Sequence, residues 1–209
     1  MTHTDLTPGY ILHTRPYRDS SLLAEVFSRN HGRVGAIFKG AKHSAGSKKR
    51  SSRAANFSPF IPRLLSWYGK GELKSGRSIE LAGTPVYLTG TRLFSGLYLN
   101  ELLVRLLHRD DPVPVLYDLY QDTLLALQAQ ASPEAPLRMF EKGLLLALGY
   151  GLDFSTDAVG GSPIQSGVFY CYDPSSGFSP AAPGQEQASG FQGQLLLNMG
   201  RDDYRDAAT

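Results

Sequence analysis

Cysteine is all but missing from this chain. Cys171 stands alone, which excludes an internal disulfide and a cysteine-built zinc site and fits a reducing compartment. The five histidines are scattered without a metal-ligand spacing, so neither a metal nor a cofactor is expected. No uninterrupted apolar run approaches the roughly 20 residues that cross a bilayer. The opening Met-Thr-His-Thr-Asp is not a charged-then-apolar leader either, so the expected location is cytoplasmic. A Walker loop is absent, which argues against ATP-driven chemistry. Asp110-Asp111 and Asp202-Asp203 are adjacent carboxylates, but neighbours diverge on a strand or helix, so they read as solvated surface. No catalytic constellation remains, and the chain is not expected to be an enzyme.

Acidic residues are missing from one stretch in particular. Residues 33–53, RVGAIFKGAKHSAGSKKRSSR, open as an alternating strand and continue into a loop with Lys39, Lys42, His43, Lys48, Lys49, Arg50 and Arg53 and no Asp or Glu. Like charges repel, and the interspersed Gly and Ser supply neither a core face nor a period. A solvated hairpin tip is the bland reading; an arm that binds a polyanion is the sharper one. The wider imbalance favours the arm. Through Glu80 there are 14 Lys and Arg against 5 Asp and Glu, and from Leu81 onward 7 against 14. A basic front half is joined to an acidic back half.

What is present is organised as strands, then helices, then a mixed tail. Short β-rich segments at 10–15, 22–28, 34–39, 59–67 and 72–80 are separated by turn signals, of which Asn30-His31-Gly32 is the clearest. Five strands in so short a span suggest a small barrel, and such a barrel is often an OB-fold, a nucleic-acid binder. Cations for phosphates (Arg15, Arg18, Arg33, Lys39, Lys70, Lys74 and Arg77) are interleaved with Tyr10, Tyr17, Phe38, Trp67 and Tyr68. Phe27, Phe38, Phe57 and Phe60 fall at strand spacing and read as core, whereas Tyr17 and Tyr68 are the better stacking candidates.

From Thr91 the period becomes helical. Leu93, Leu97, Asn100, Glu101, Val104 and Leu107, widened by Phe94, Tyr98, Leu102, Leu103 and Leu106, predict a helix buried over much of its circumference. Leu116, Leu119, Tyr120, Thr123, Leu124 and Leu127 predict a second. Ser132-Pro133-Glu134 starts a third that ends at Gly149. Short connections then imply an antiparallel helical bundle. Beyond it, 168–172 reads as a strand turning at 173–177, and Cys171 as a buried strand residue.

Several collinear stretches carry a resemblance to a known family. They are Thr14-Arg15-Pro16-Tyr17-Arg18-Asp19-Ser20-Ser21-Leu22-Leu23, His31-Gly32-Arg33-Val34, Phe38-Lys39-Gly40-Ala41, Gly69-Lys70-Gly71-Glu72-Leu73-Lys74, Gly96-Leu97-Tyr98-Leu99-Asn100-Glu101-Leu102-Leu103, Leu137-Arg138-Met139-Phe140-Glu141 and Leu148-Gly149-Tyr150-Gly151-Leu152. In that order they resemble the bacterial recombination mediator RecO, over most of residues 8–154.

The resemblance implies an α+β multidomain fold. It would comprise an N-terminal OB-fold barrel (1–82), a central helical domain (83–154) and a small C-terminal zinc-ribbon-like region (155–209). With Cys171 alone, that last region lacks zinc ligands. The family also carries a basic terminal segment with no counterpart after Thr209, so the C-terminal region is either shortened or incomplete. The implied activity is binding of single- and double-stranded DNA and annealing of complementary strands. With RecR it would help RecA replace single-strand-binding protein, in association with the nucleoid. Candidate DNA contacts are Arg15, Tyr17, Arg18, Arg33, Lys39, Lys42, His43, Lys48, Lys49, Arg50, Arg53, Lys70 and Lys74. Arg138 and Lys142, one helical turn apart, are the candidates for capturing the tail of single-strand-binding protein, with Arg105 a further one. An RNA-binding or ribosome-associated OB protein is the alternative that composition leaves open, and a scaffold whose basic loop binds an acidic protein is a third.

Overall fold

The computed structural model describes residues 4–41, 56–130, 132–182 and 190–205. Two compact units divide the chain, Met1–Pro133 and Glu134–Thr209.

The first unit is a closed five-stranded barrel with two helices. Strands β1 (Thr7–Tyr17), β2 (Ser21–Ser28), β3 (Gly32–Phe38), β4 (Arg63–Tyr68) and β5 (Leu73–Leu81) follow one another in sequence. In space they close in the order β1-β2-β3-β5-β4. The parallel pairing of β3 with β5 completes the ring, and this closed order is consistent with an OB-fold. Alternation explains the interior. Ala24 and Val26 of β2, Val34, Ala36 and Phe38 of β3, and Leu65 and Trp67 of β4 form one core cluster with Ile11 and Phe57.

The opposite face of β1 and β2 is buried as well, because helices cover it. Tyr10 and Phe27 lie at facing positions and pack against Tyr117 and Tyr120, with ring centroids 5.1 to 6.0 Å apart. β2 is therefore covered on both sides and reads as a nearly unbroken apolar run rather than an alternating one.

Helices α1 (Thr91–Leu106) and α2 (Pro114–Ala129) run antiparallel: Arg92 near the start of α1 donates to the carbonyls of Gln128 and Gln130 at the end of α2. The buried face of α1 consists of Ser95, Gly96, Leu99, Asn100 and Leu103. The broad stripe expected from the sequence is thus narrower, and Phe94, Leu97, Tyr98 and Leu106 are exposed. Asn100 explains how a polar residue enters this face. Its amide donates to the Leu12 carbonyl at 2.9 Å and accepts from the Tyr120 hydroxyl at 2.6 Å. Burial pushes the Tyr120 pKa well up, so that hydroxyl stays a neutral donor.

The second unit holds α3 (Glu134–Ala147), a three-stranded sheet of β6 (Phe169–Asp173), β7 (Gly177–Pro180) and β8 (Phe191–Gln192) in the order β7-β6-β8, and α4 (Gly193–Gly200). Glu134 in the first turn suits the positive end of the α3 dipole, and Gly149 leaves the helix at φ 85°. The expected three-helix grouping is therefore split: α1 and α2 belong to the barrel unit and α3 to this one. Phe154, Ile164, Tyr170, Phe178 and Leu196 form its core. Cys171 is half-buried on β6.

Loops here are tied by aspartates. Asp153 accepts from the backbone and hydroxyl of Ser155 and from Thr156, Asp157 from the amides of Val159 and Gly160, and Asp173 from Ser175 and Ser176. Among the described residues no group of three or more His, Cys, Asp and Glu is placed to hold a metal. No helix among them is long and apolar enough to cross a membrane.

Candidate nucleic-acid interface

The strand register sets which cations share a face. Arg15 faces Leu23, Leu23 faces Ile37, and Ile37 faces Ser75, so these four form one row across β1, β2, β3 and β5. Leu23 belongs to the outward set of β2, since Leu22, Ala24 and Val26 point inward. The row therefore lies on the outer surface of the barrel. One step further along, Tyr17 faces Ser21, and Lys39 follows β3 directly. Arg15, Arg18 and Lys39 are exposed and Tyr17 is half-exposed. Arg18, at φ 51° in the tight β1–β2 turn, brings its guanidinium to 5.5 Å from the Tyr17 ring. This end of the strands holds a charged, partly aromatic surface.

The other end of the strands is different. Arg33 donates to the Leu107 carbonyl at 2.9 Å and to Glu25 at 3.2 Å. Arg109 also reaches Glu25, at 2.5 Å. Lys74 is buried and donates to Asp110 and to the Gly71 carbonyl, both at 2.9 Å. The backbone joins in: the Asp110 amide donates to the Arg33 carbonyl, and Arg109 forms a parallel bridge to Arg33. Residues 107–111, the link between α1 and α2, thus clasp the start of β3. Two glycines make room for it. A Cβ on Gly32 would fall 1.9 Å from the Asp111 carbonyl oxygen, and one on Gly35 would fall 2.2 Å from Arg109 Nη1. Two of the sequence candidates, Arg33 and Lys74, are thereby engaged inside the unit.

Lys70 is exposed in the β4–β5 turn, and Tyr68 beside it is 36% exposed. Because β3 and β5 are parallel, the turn leading into β5 lies at the opposite end of the strands from Lys39. Lys70 is thus separated from Arg15, Arg18 and Lys39. Lys42, His43, Lys48, Lys49, Arg50 and Arg53 lie outside the described residues. Tyr10, one of the interleaved aromatics, is only 1% exposed and belongs to the barrel–helix core; burial raises its pKa to about 12.

The partner candidates are also placed. Arg105 pairs with Glu101 on α1 at 2.7 Å. Arg138 pairs with Glu141 on α3 at 2.8 Å and keeps a half-exposed side chain. Lys142 is committed more deeply, donating to the Met199 and Gly200 carbonyls at 2.9 and 3.3 Å and pairing with Asp202. It ties down the C-terminal end of α4, where a cation is favoured.

The clasp was not legible as such. Glu25 sits mid-strand and Arg109 in a loop, 84 residues apart. The one signal for it was a charged residue at the centre of an otherwise apolar strand.

Comparison with known proteins bears on the whole chain. The family model "Recombination protein O N terminal" matches residues 1–85, and "Recombination protein O C terminal" matches residues 88–198. A "DNA repair protein RecO" of Cellvibrio japonicus is 42% identical over 98% of this chain and 85% of its own length. Proteins of the same name from Methylococcus capsulatus and Thiobacillus denitrificans are each 43% identical, over 93% and 96% of this chain and 77% and 79% of their own lengths. The chain belongs to the RecO family.

Proposed function

We propose that this protein is a non-enzymatic DNA-binding recombination mediator. It binds single- and double-stranded DNA, anneals complementary strands and, with RecR, helps RecA load onto DNA covered by single-strand-binding protein. The observation that carries the reading is the cationic end of the closed barrel, where Arg15, Arg18 and Lys39 are exposed and Arg18 lies over the Tyr17 ring, in a chain of the RecO family. The relatives' name, DNA repair protein, agrees with it.

The chemistry follows from what annealing requires. Two polyanions must be held close while their base edges stay free to pair, so contacts belong on phosphates and base faces. Exposed arginine and lysine supply the first and the Tyr17 ring the second. The basic loop with Lys42, His43, Lys48, Lys49, Arg50 and Arg53 adds charge beyond the end of β3. No recognition helix enters this surface, so sequence preference is slight. Arg33 and Lys74 act indirectly, by fixing the barrel on which the contacts stand. For the acidic, apolar tail of single-strand-binding protein, Arg138 and Arg105 are the available cations, each paired with a glutamate on its own helix but exposed, whereas Lys142 is occupied at the end of α4.

The test is fluorescence anisotropy of labelled single-stranded DNA across a salt series. If about 4 to 6 cations neutralise phosphates, log K falls with log salt at a slope of roughly −3 to −5. Changing Lys48, Lys49, Arg50 and Arg53 together to alanine flattens that slope. RNA of the same sequence that clearly outcompetes the DNA would instead favour a ribosomal or RNA-binding role. Absence of binding at low salt would defeat the proposal.

A further inference from the structure

The segment that leaves α4 lies on the cations of α3 that an acidic tail would need. We propose that Asp202-Asp203-Tyr204 is an internal competitor: it holds Lys142 and flanks Arg138, and an acidic, apolar peptide docks on this face by displacing it. The inference rests on the tail-capturing reading above and adds the regulation of that site.

The placement follows from helix spacing. Arg138 and Lys142 stand at i and i+4 on α3, so they share one face about 6 Å apart along the axis. Asp202 brings a carboxylate oxygen to 2.5 Å from Lys142 Nζ. Tyr204 follows two residues later, a reach of about 7 Å in extended chain. It is half-buried, within electrostatic reach of Arg138 and Glu141. Burial raises its pKa, Asp202 and Glu141 add to the rise, and Arg138 opposes it. The segment therefore runs back along α3 from Lys142 toward Arg138. A carboxylate followed by an aromatic ring is the chemistry of an acidic, apolar tail, supplied here in cis.

Two features make the segment displaceable. The Lys142–Asp202 pair is partly exposed, 28% and 42% at the two side chains, and pairs of that kind hold weakly. Asp202 also sits at φ 56°, in the left-handed region that a non-glycine residue occupies at a cost, and release relieves it. Lys142 keeps the Met199 and Gly200 carbonyls whether or not Asp202 is in place. Beside it, Leu152, Phe154 and Leu197 line a cavity of 390 Å³, with the Phe154 ring 5.8 Å from Lys142 Nζ. Asp153 on the same wall is taken up by Ser155 and Thr156, while Arg201, which also lines the cavity, is exposed. A tail's carboxylate would replace Asp202 at Lys142, and its apolar residues would enter the cavity.

Fluorescence anisotropy with a labelled peptide of consecutive aspartates ending in apolar residues tests this on the full chain. The parent is compared with Asp202→Asn and with Asp202→Asn combined with Tyr204→Ala, each checked by thermal melting. Asparagine tolerates the left-handed backbone, so the first variant removes the charge alone. Both variants are expected to bind the probe about fivefold tighter than the parent. In the parent, saturating probe is expected to speed hydrogen exchange at the amides of Asp202 and Asp203, which donate to the Met199 and Asn198 carbonyls. If the parent binds the probe and the variants bind it no tighter, or if exchange at those amides does not change on binding, the competition is overturned and the tail-capturing role stands. Failure of the parent and both variants to bind the probe overturns both.

Discussion

Glu25 holds two arginines at once. Its side chain is only 10% exposed, and its two carboxylate oxygens accept from Arg33 and from Arg109. Removing the carboxylate would leave two guanidinium groups together with no acid between them. Glu25→Ala is therefore expected to cost about 3 kcal/mol, read by urea unfolding with the melting curve as a check. Arg109 Nη1 is buried without a hydrogen-bond partner among the described residues. It lies against the Gly35 backbone, where Gly35→Ala would force a Cβ to within 2.2 Å of it. We expect that change to destabilise by about 1–3 kcal/mol, and Gly71→Ala, whose Cβ would meet nothing within 4 Å, to cost much less. In the second unit the aspartate-tied loops bring a pH dependence. Hydrogen bonds from Ser155 and Thr156 hold Asp153 down to about 2, and those from Ser175 and Ser176 lower Asp173. A carboxylate with a depressed folded pKa stabilises above its ordinary value near 4 and loses that contribution as pH falls toward 2. Replacing both by alanine should thus reduce stability at pH 7 and leave it nearly unchanged at pH 2, as measured by denaturant unfolding at the two values.

Among the elements, α1 shows what periodicity can and cannot convey. Its sequence is apolar at so many positions that a wide buried stripe was the natural reading, yet Phe94 and Leu97 are exposed and Asn100 is buried. What selects the face is a pair of polar contacts 20 and 88 residues away in sequence, and no local window contains them. Asn100→Leu keeps the number of side-chain heavy atoms and removes both hydrogen bonds. It is expected to cost about 1–3 kcal/mol, and Tyr120→Phe, which removes one of the two bonds, less; a thermal melt of each variant decides. The strands were more legible. All five were placed from alternation and turn residues, with the main displacement at 59–62, where Pro59 and Pro62 precede β4 rather than join it. The burial of β2 on both faces was hidden because the rings of Tyr117 and Tyr120 that cover Phe27 come about 90 residues later. At the site, the exposed cations of the β1–β2 turn could be read from composition and spacing. The loss of Arg33 and Lys74 to the clasp could not, because it depends on Glu25 and Asp110 arriving from other elements.

For the whole molecule, the charge division between the halves becomes a division of tasks. The basic front half builds a barrel with exposed cations at the β1–β2 turn and after β3, while the clasp engages Arg33 and Lys74 inside the unit. The acidic back half contributes α3, with Arg138 on its surface, and a unit tied by aspartates rather than by metal ligands among its described residues. The proposed role requires pairing of strands to be driven by charge neutralisation alone. The most direct measurement is the rate at which two complementary labelled strands anneal, followed by energy transfer between the labels, with and without the protein and without nucleotide. The account predicts a clear acceleration that falls steeply as salt rises and is indifferent to added ATP. Tight strand binding with no acceleration, or an acceleration that requires ATP, would contradict it.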